Sequence, residues 1–421
     1  MFGTQVKLYL VFMVCLFFCA CGSRSVSDIS NSFADTDESA VTAPKTEFTQ
    51  EELLEDYDQL WEDLEANYPF FPVLTQRGMN ISALKEYYQN LLTDRITDLE
   101  GFAVLLNNLF FDMNNLEHLS LMEPEFYYDM LQMAEEERLG FTEEPWKSLL
   151  GNEQTRASYA LLRPETDNAG RSESLFPEIV TEYYEDQQAV YLRITSFNHL
   201  LIERDRDIIW EYVEEHKNAK HVIIDIQGNR GGSDYYWMEN IVALFGGEYS
   251  WKQTLFFKES PVTKAFYYDR IPEFVRITDA DVLPQSVREL GMTHMGVFES
   301  VYPADIDCGM EETTRLQDVK RWVLIDERVY SAADSFSDFC RQSGWAVLVG
   351  KETEGGGVGP MPVAIVLKNT GLLVRFGNTV YLREDRSISA GKGVAPDVIC
   401  KTGESALETC LRVISDFMWN E

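Results

Sequence analysis

Positive charge is scarce in this chain. Only 36 Lys and Arg stand against 70 Asp and Glu, a net charge of −34, and a surface of that sign repels nucleic acid and anionic lipid headgroups. No GxxxxGK[ST] loop occurs, and GNRGG at 228–232 lacks the spacing of the dinucleotide fingerprint. C-x-x-C, H-E-x-x-H and carboxylate clusters at calcium-loop spacing are missing as well, so neither metal nor cofactor is expected. Histidine is down to five residues. Each can be weighed singly.

Long apolar runs are also lacking. Lys7 precedes the run Leu8 to Phe18, which falls short of the ~20 residues a spanning helix needs. It ends in Ala20-Cys21-Gly22-Ser23, the pattern of a secretory signal over residues 1–21. FFCACGS resembles a bacterial lipobox with Cys21 as the lipidated residue, although Phe18 and Cys19 depart from it; a signal cleaved without lipid is the other reading. The expected localisation is extracytoplasmic, and contact with the membrane comes from the acyl anchor alone. Residues 22–46, rich in Ser, Thr, Asp and Ala, read as a disordered tether. Of seven cysteines, Cys15 and Cys19 leave with the signal. Cys308, Cys340, Cys400 and Cys410 could make two bridges outside the cytoplasm, but their spacing is wide and a chain this long does not need them, so sequence sets no pairing.

What remains, about 375 residues, exceeds one ordinary core, so two lobes are expected. Residues 47–185 form the first. Leu53, Leu54, Tyr57, Leu60, Trp61 and Leu64 recur at helical spacing, and Ile81 to Leu92 repeats the pattern. An α/β lobe follows over residues 186–421. AVYLRI opens it, and an aromatic insertion at about 247–315 supplies either extra strands walling a cleft or a purely structural cap.

Two segments of that lobe carry chemistry. Residues 321–357, RWVLIDERVYSAADSFSDFCRQSGWAVLVGKETEGGG, read as strand, sharp turn, helix, strand and Gly-rich loop, with Ser331 at the helix N-terminus. Exposed backbone N–H groups there favour developing negative charge, so Ser331 is either a nucleophile or only an N-cap. Residues 220–245 give a second strand, loop and helix, with Gly228, Gly231 and Gly232 in the turn. Two such loops at one sheet edge can aim amides at a single oxygen, as an oxyanion hole requires; a tight turn needing glycine for steric reasons is the alternative.

These residues carry a resemblance. DIQGNRGGS, VYSAADSFSDF, WAVLVGKETEGGG and GKGVAPDV resemble, in order, four segments of the tail-specific (C-terminal processing) and tricorn-core serine peptidases. The resemblance implies an α/β catalytic lobe of the ClpP/crotonase-like type behind a helical N-terminal bundle. It implies Ser331 as nucleophile, an oxyanion hole from Gly231, Gly232 and Ala332, and peptide or protein substrates. Tail-specific members use a lysine in the Gly-rich loop, where Gly356 stands here; Lys351 lies earlier. The tricorn-like arrangement, with a histidine base from the helical region, fits better. LFFDMNNLEHLSL places His118 at that position, although Glu117 and Leu119 replace the usual glycine and threonine of G-H-T.

Read from its neighbours alone, His118 is a satisfied, partly buried histidine. His216 and His221 read as solvated residues beside a helix end. The orienting glutamate of tricorn-type enzymes aligns near Ala390, leaving Glu384 and Asp385 as substitutes or as a solvated pair in a turn. The interval Leu121 to Gln187 is too short for a PDZ domain. Two functions stay open: a serine peptidase, or a catalytically eroded lipoprotein that holds peptide or lipid without turnover. Sequence sets no oligomeric state.

Overall fold

The computed structural model describes residues 43–135, 144–163, 178–245, 248–267, 275–276, 283–302, 319–383 and 387–418. Cys21, Cys308, Glu384 and Asp385 lie outside them. Helices Gln50–Asn67, Phe71–Gln76, Ile81–Arg95 and Leu99–Asp112 make the N-terminal lobe. Its sequence signals act locally. Thr49 and Glu52 close a capping box on the first helix, and the side chains of Asn80 and Asp98 cap the third and fourth. Leu53, Tyr57, Leu60, Trp61 and Leu64 are buried, as their helical spacing requires.

A six-stranded sheet organises the second lobe. In spatial order its strands are Val398–Ile399, Val347–Gly350, Lys320–Ile325, His221–Asp225, Ala189–Arg193 and Val180–Tyr184. All neighbouring pairs are parallel except the last. Side chains alternate across it. Val190, Leu192, Val222, Ile224, Val323 and Ile325 face the main core. Ala189, Tyr191, Ile223, Trp322 and Leu324 face a second cluster completed by Cys410 and Ile414 of the C-terminal helix Ala406–Met418. With both faces covered, the strands are near-continuous apolar runs. Cys340, Cys400 and Cys410 are free thiols.

The insertion contributes Tyr249–Phe257 and His294–Tyr302, antiparallel over nine residue pairs. Thr379–Tyr381 joins this sheet from downstream. Trp251 packs edge-on against Phe339, and its indole N–H donates to Asp338 at 2.8 Å, so the insertion braces the helix that follows Ser331.

A third, three-stranded sheet locks the lobes together and positions the site. Ser120–Leu121, which follows the helix Leu99–Asp112, pairs with Leu373–Phe376. The Met122 amide extends the ladder to the Leu373 carbonyl at 2.8 Å. Buried Asp56 adds a second contact, accepting from the Asn369 and Thr370 amides and the Thr370 hydroxyl.

Candidate active site

Asp225 ends its strand and turns the chain, accepting from the Gln227 amide while Tyr191 and Arg193 hold its other oxygen. Asn229, fully buried, then fixes the glycine loop. Its side chain donates to the Ile194 carbonyl and accepts from the Gly231 amide at 2.8 Å, and its carbonyl accepts from the Tyr330 amide. The Gly231 amide is therefore already engaged and does not serve as the expected oxyanion donor. Gly232 and Ala332 amides bond to no described residue. Gly231 is nonetheless required: at φ +92°, a Cβ there meets Ser331 Cβ at 2.7 Å and the Ala332 nitrogen at 2.8 Å.

Ser331 sits at φ 54°, ψ −130°, at the head of the helix Ala332–Ser343, and its side chain makes no cap. The capping alternative is thereby removed. A non-glycine residue so placed stores about 1–3 kcal/mol, and such strain collects at functional sites. Its amide donates to the Gly355 carbonyl at 3.2 Å, tying the serine to the Gly-rich loop.

His118 arrives from the other lobe on a strained stretch. Asn114, Asn115, Glu117 and His118 all have positive φ. The φ of 53° at Glu117 accounts for the glycine that resembled sequences carry there. The His118 amide donates to the Tyr330 hydroxyl at 3.0 Å, the two rings lie 4.8 Å apart, and Nε2 is 3.0 Å from the Gly356 carbonyl oxygen. So the imidazole reaches the residue beside Ser331 and the loop that holds Ser331. It bonds to the Gly356 carbonyl and not to the serine hydroxyl. Burial first, then the charges of Arg375 and Arg230, lower its pKa to about 3, keeping the ring neutral.

The other histidines lie elsewhere. His216 meets the Tyr212 carbonyl through Nδ1 and stacks on Tyr183. His221 is not solvated as expected; it is buried in its strand and accepts from the Trp322 indole at 3.2 Å. Lys351 is an exposed residue paired with Glu327. Among the described residues, no cluster of His, Cys, Asp and Glu is arranged to hold a metal. Nor is any described helix long and apolar enough to cross a membrane.

Two buried carboxyl groups were given no role in the sequence reading. Asp334, in the first turn after Ser331, accepts from the Thr353 hydroxyl and from the Gly357 amide at 3.1 Å, with Arg383 Nη2 3.8 Å away. Glu117 is 8% exposed and accepts from the Gly391 amide at 3.2 Å, while its own carbonyl accepts from Gly377. Burial raises the Glu117 pKa from 4.5 to about 7. The signal for it was the departure from G-H-T, where a charged residue replaces the one residue suited to the backbone.

The Glu117 shift has a sign that can be measured. The folded state holds the Glu117 proton more tightly than the unfolded state, so this stabilising contribution is complete below pH 4.5 and is lost as pH rises through about 7. Glu117→Gln cannot titrate. Its stability relative to wild type is expected to improve by up to about 3 kcal/mol between pH 5 and pH 8. Other titrating groups are common to both proteins and cancel. Urea denaturation at the two pH values reads the difference, and an equal gap at both contradicts the burial argument.

The sequence of residues 188–400, half of the chain, matches the model of peptidase family S41. The chain belongs to peptidase family S41. Its solved structural relatives are remote in sequence. A candidate peptidase from Parabacteroides merdae aligns at 16% identity and a TM-score of 0.51, covering 86% of this chain and 96% of its own. A mutant form of CPAF aligns at 14% identity and 0.51, covering 88% and 97%. Among curated proteins no sequence match is found. These likenesses show that this chain shares its fold with both structures over most of its length.

Proposed function

We propose that the protein hydrolyses peptide bonds by acyl transfer through Ser331. His118 Nδ1 takes the Oγ proton as oxygen attacks the scissile carbonyl, and the imidazolium returns it to the leaving amine. Water then repeats the sequence on the acyl-enzyme. The oxyanion is received by the Gly232 and Ala332 amides, each such donor typically worth ~2.7–4 kcal/mol at the transition state. The observation that supports this most is the Ser331 backbone, held at φ 54° with its hydroxyl free of any capping role.

One observation favours the binding-only alternative: the imidazole bonds Gly356 and not Ser331. A serine-reactive phosphonate separates the two. Covalent mass addition mapped to Ser331 is the expected result, and a folded protein that stays unmodified supports binding without turnover.

The substrates we expect are peptides or proteins, met outside the cytoplasm by an enzyme anchored through a lipidated Cys21. Mass spectrometry of the mature N-terminus checks the anchor; an unacylated terminus removes it.

A further inference from the structure

We propose that Asp334 is the acid that serves the His118 base, acting through the Gly356–Gly357 peptide group; the inference rests on the Ser331 and His118 reading above. The two ends of one peptide plane carry it. Gly356 O lies 3.0 Å from His118 Nε2, and the N–H of the same peptide, at Gly357, donates to Asp334 Oδ2 at 3.1 Å. A carbonyl only accepts, so the first contact places a proton on Nε2 and leaves Nδ1 with the lone pair. Nδ1 bonds to no described residue. On the peptidase reading it is the nitrogen that takes the serine proton.

Hydrogen bonds in series polarise one another. A carboxylate at the amide end draws the N–H and shifts electron density towards the carbonyl oxygen, which becomes a stronger acceptor for Nε2–H. The gain is greatest when His118 has taken the Ser331 proton and is an imidazolium. In an ordinary triad a carboxylate touches the imidazole directly and fixes its tautomer. Here no described carboxylate does so, and a peptide stands between acid and base.

The surroundings suit that role. Asp334 is fully buried, the Thr353 hydroxyl occupies its second oxygen, and Arg383 faces it, shared with Asp338 at 2.8 Å. Burial lifts its pKa to about 6 against the pull of Arg383, Thr353 and the Gly357 amide, so it is ionised at neutral pH. It lies on the same helix as the nucleophile, and acid and serine are therefore held in one rigid unit. Gly356 admits the arrangement because any Cβ there meets the Tyr330 ring at 2.5 Å. An N-terminal helical aspartate also offsets the helix dipole and clamps the loop. The test must separate that purely structural role from action on the base.

Histidine-selective ¹⁵N NMR without substrate does so. In wild type at neutral pH, His118 is expected as the Nε2–H tautomer with its Hε2 resonance far downfield. Asp334→Asn keeps size and an acceptor for Gly357 but removes the charge, and is expected to move Hε2 upfield. An Nδ1–H tautomer, or an unmoved Hε2 in folded variant, overturns the proposal. Should Asp334→Asn fail to fold, Glu117→Gln protein decides. Titrated from pH 8 to 5, its Hε2 is expected to move upfield as Asp334 gains a proton near pH 6. Arg383 faces Asp334, and Arg375 and Arg230 face His118; Asp338 shares Arg383, and Asp234, raised by burial to about 6, bonds Ser335 of the same helix, so Asp338→Asn and Asp234→Asn in that background must each leave the movement in place. A flat Hε2 across the range overturns the proposal.

In turnover, Asp334→Asn is expected to lower kcat about ten- to a hundredfold, as outer partners of reacting groups commonly do, with KM unchanged. A rise in KM at constant kcat marks a structural clamp and overturns the role. If wild type itself neither turns over nor reacts with phosphonate, the peptidase reading fails, while the NMR readouts still decide the coupling.

Discussion

Ser331→Ala is expected to lower peptide hydrolysis by on the order of 10⁵- to 10⁶-fold, the loss seen when a serine nucleophile is removed from a working triad, while leaving stability within about 0.5 kcal/mol. The structure supports both halves. The hydroxyl makes no hydrogen bond to the helix it heads, and the Cβ, which packs against Gly231, is retained in alanine. A hydroxyl with no capping role on a strained backbone position is what the proposed nucleophile requires. Turnover of a fluorogenic peptide and a thermal melt, on the same preparations, read the two effects. A variant that keeps more than about a tenth of wild-type turnover assigns the nucleophile elsewhere.

His118→Ala is expected to cost on the order of 10⁴- to 10⁶-fold in kcat, within the range for loss of a general base that acts as a unit with its serine. Stability should fall modestly here, because the ring packs on Tyr330 and bonds Gly356. The discriminating signature is the pH dependence of the residual rate. With no base, ionisation of the serine depends on hydroxide, and the remaining activity is expected to climb about tenfold per pH unit at alkaline pH. Phosphonate labelling of the variant should slow in parallel. Undiminished labelling places the base elsewhere; Lys351, paired with Glu327 on the surface, is poorly placed to supply it.

Much of this architecture was legible because it is built from local rules. Continuous apolar runs in KHVIID and RWVLID marked the buried strands, and glycines after them marked the turns. Val180–Tyr184 was not foreseen. Its residues are half-exposed at the sheet edge, so the apolar signal of an inner strand is diluted. Ser331 and His118 were singled out by pattern, but the contacts around them were not. That Gly231 gives its amide to Asn229 follows from the side chain of a residue two positions away, and no spacing rule encodes it. Asp334 lay in the VYSAADSFSDF segment, but nothing local pointed to its partner. Only the fold brings it against the Gly357 amide 23 residues later. His221 was misread because its charged neighbours in sequence are not its neighbours in space; in the strand it lies beside the Trp322 indole.

The pairing of Ser120–Leu121 with Leu373–Phe376 bears on when this machinery can first operate. Synthesis delivers the imidazole early and the hydroxyl more than two hundred residues later, and neither reaches its neighbours until the far strand has been made and has docked. On the peptidase reading, a polypeptide still short of Leu373–Phe376 is harmless to whatever surrounds it, and prising that small sheet apart returns the finished protein to the same condition.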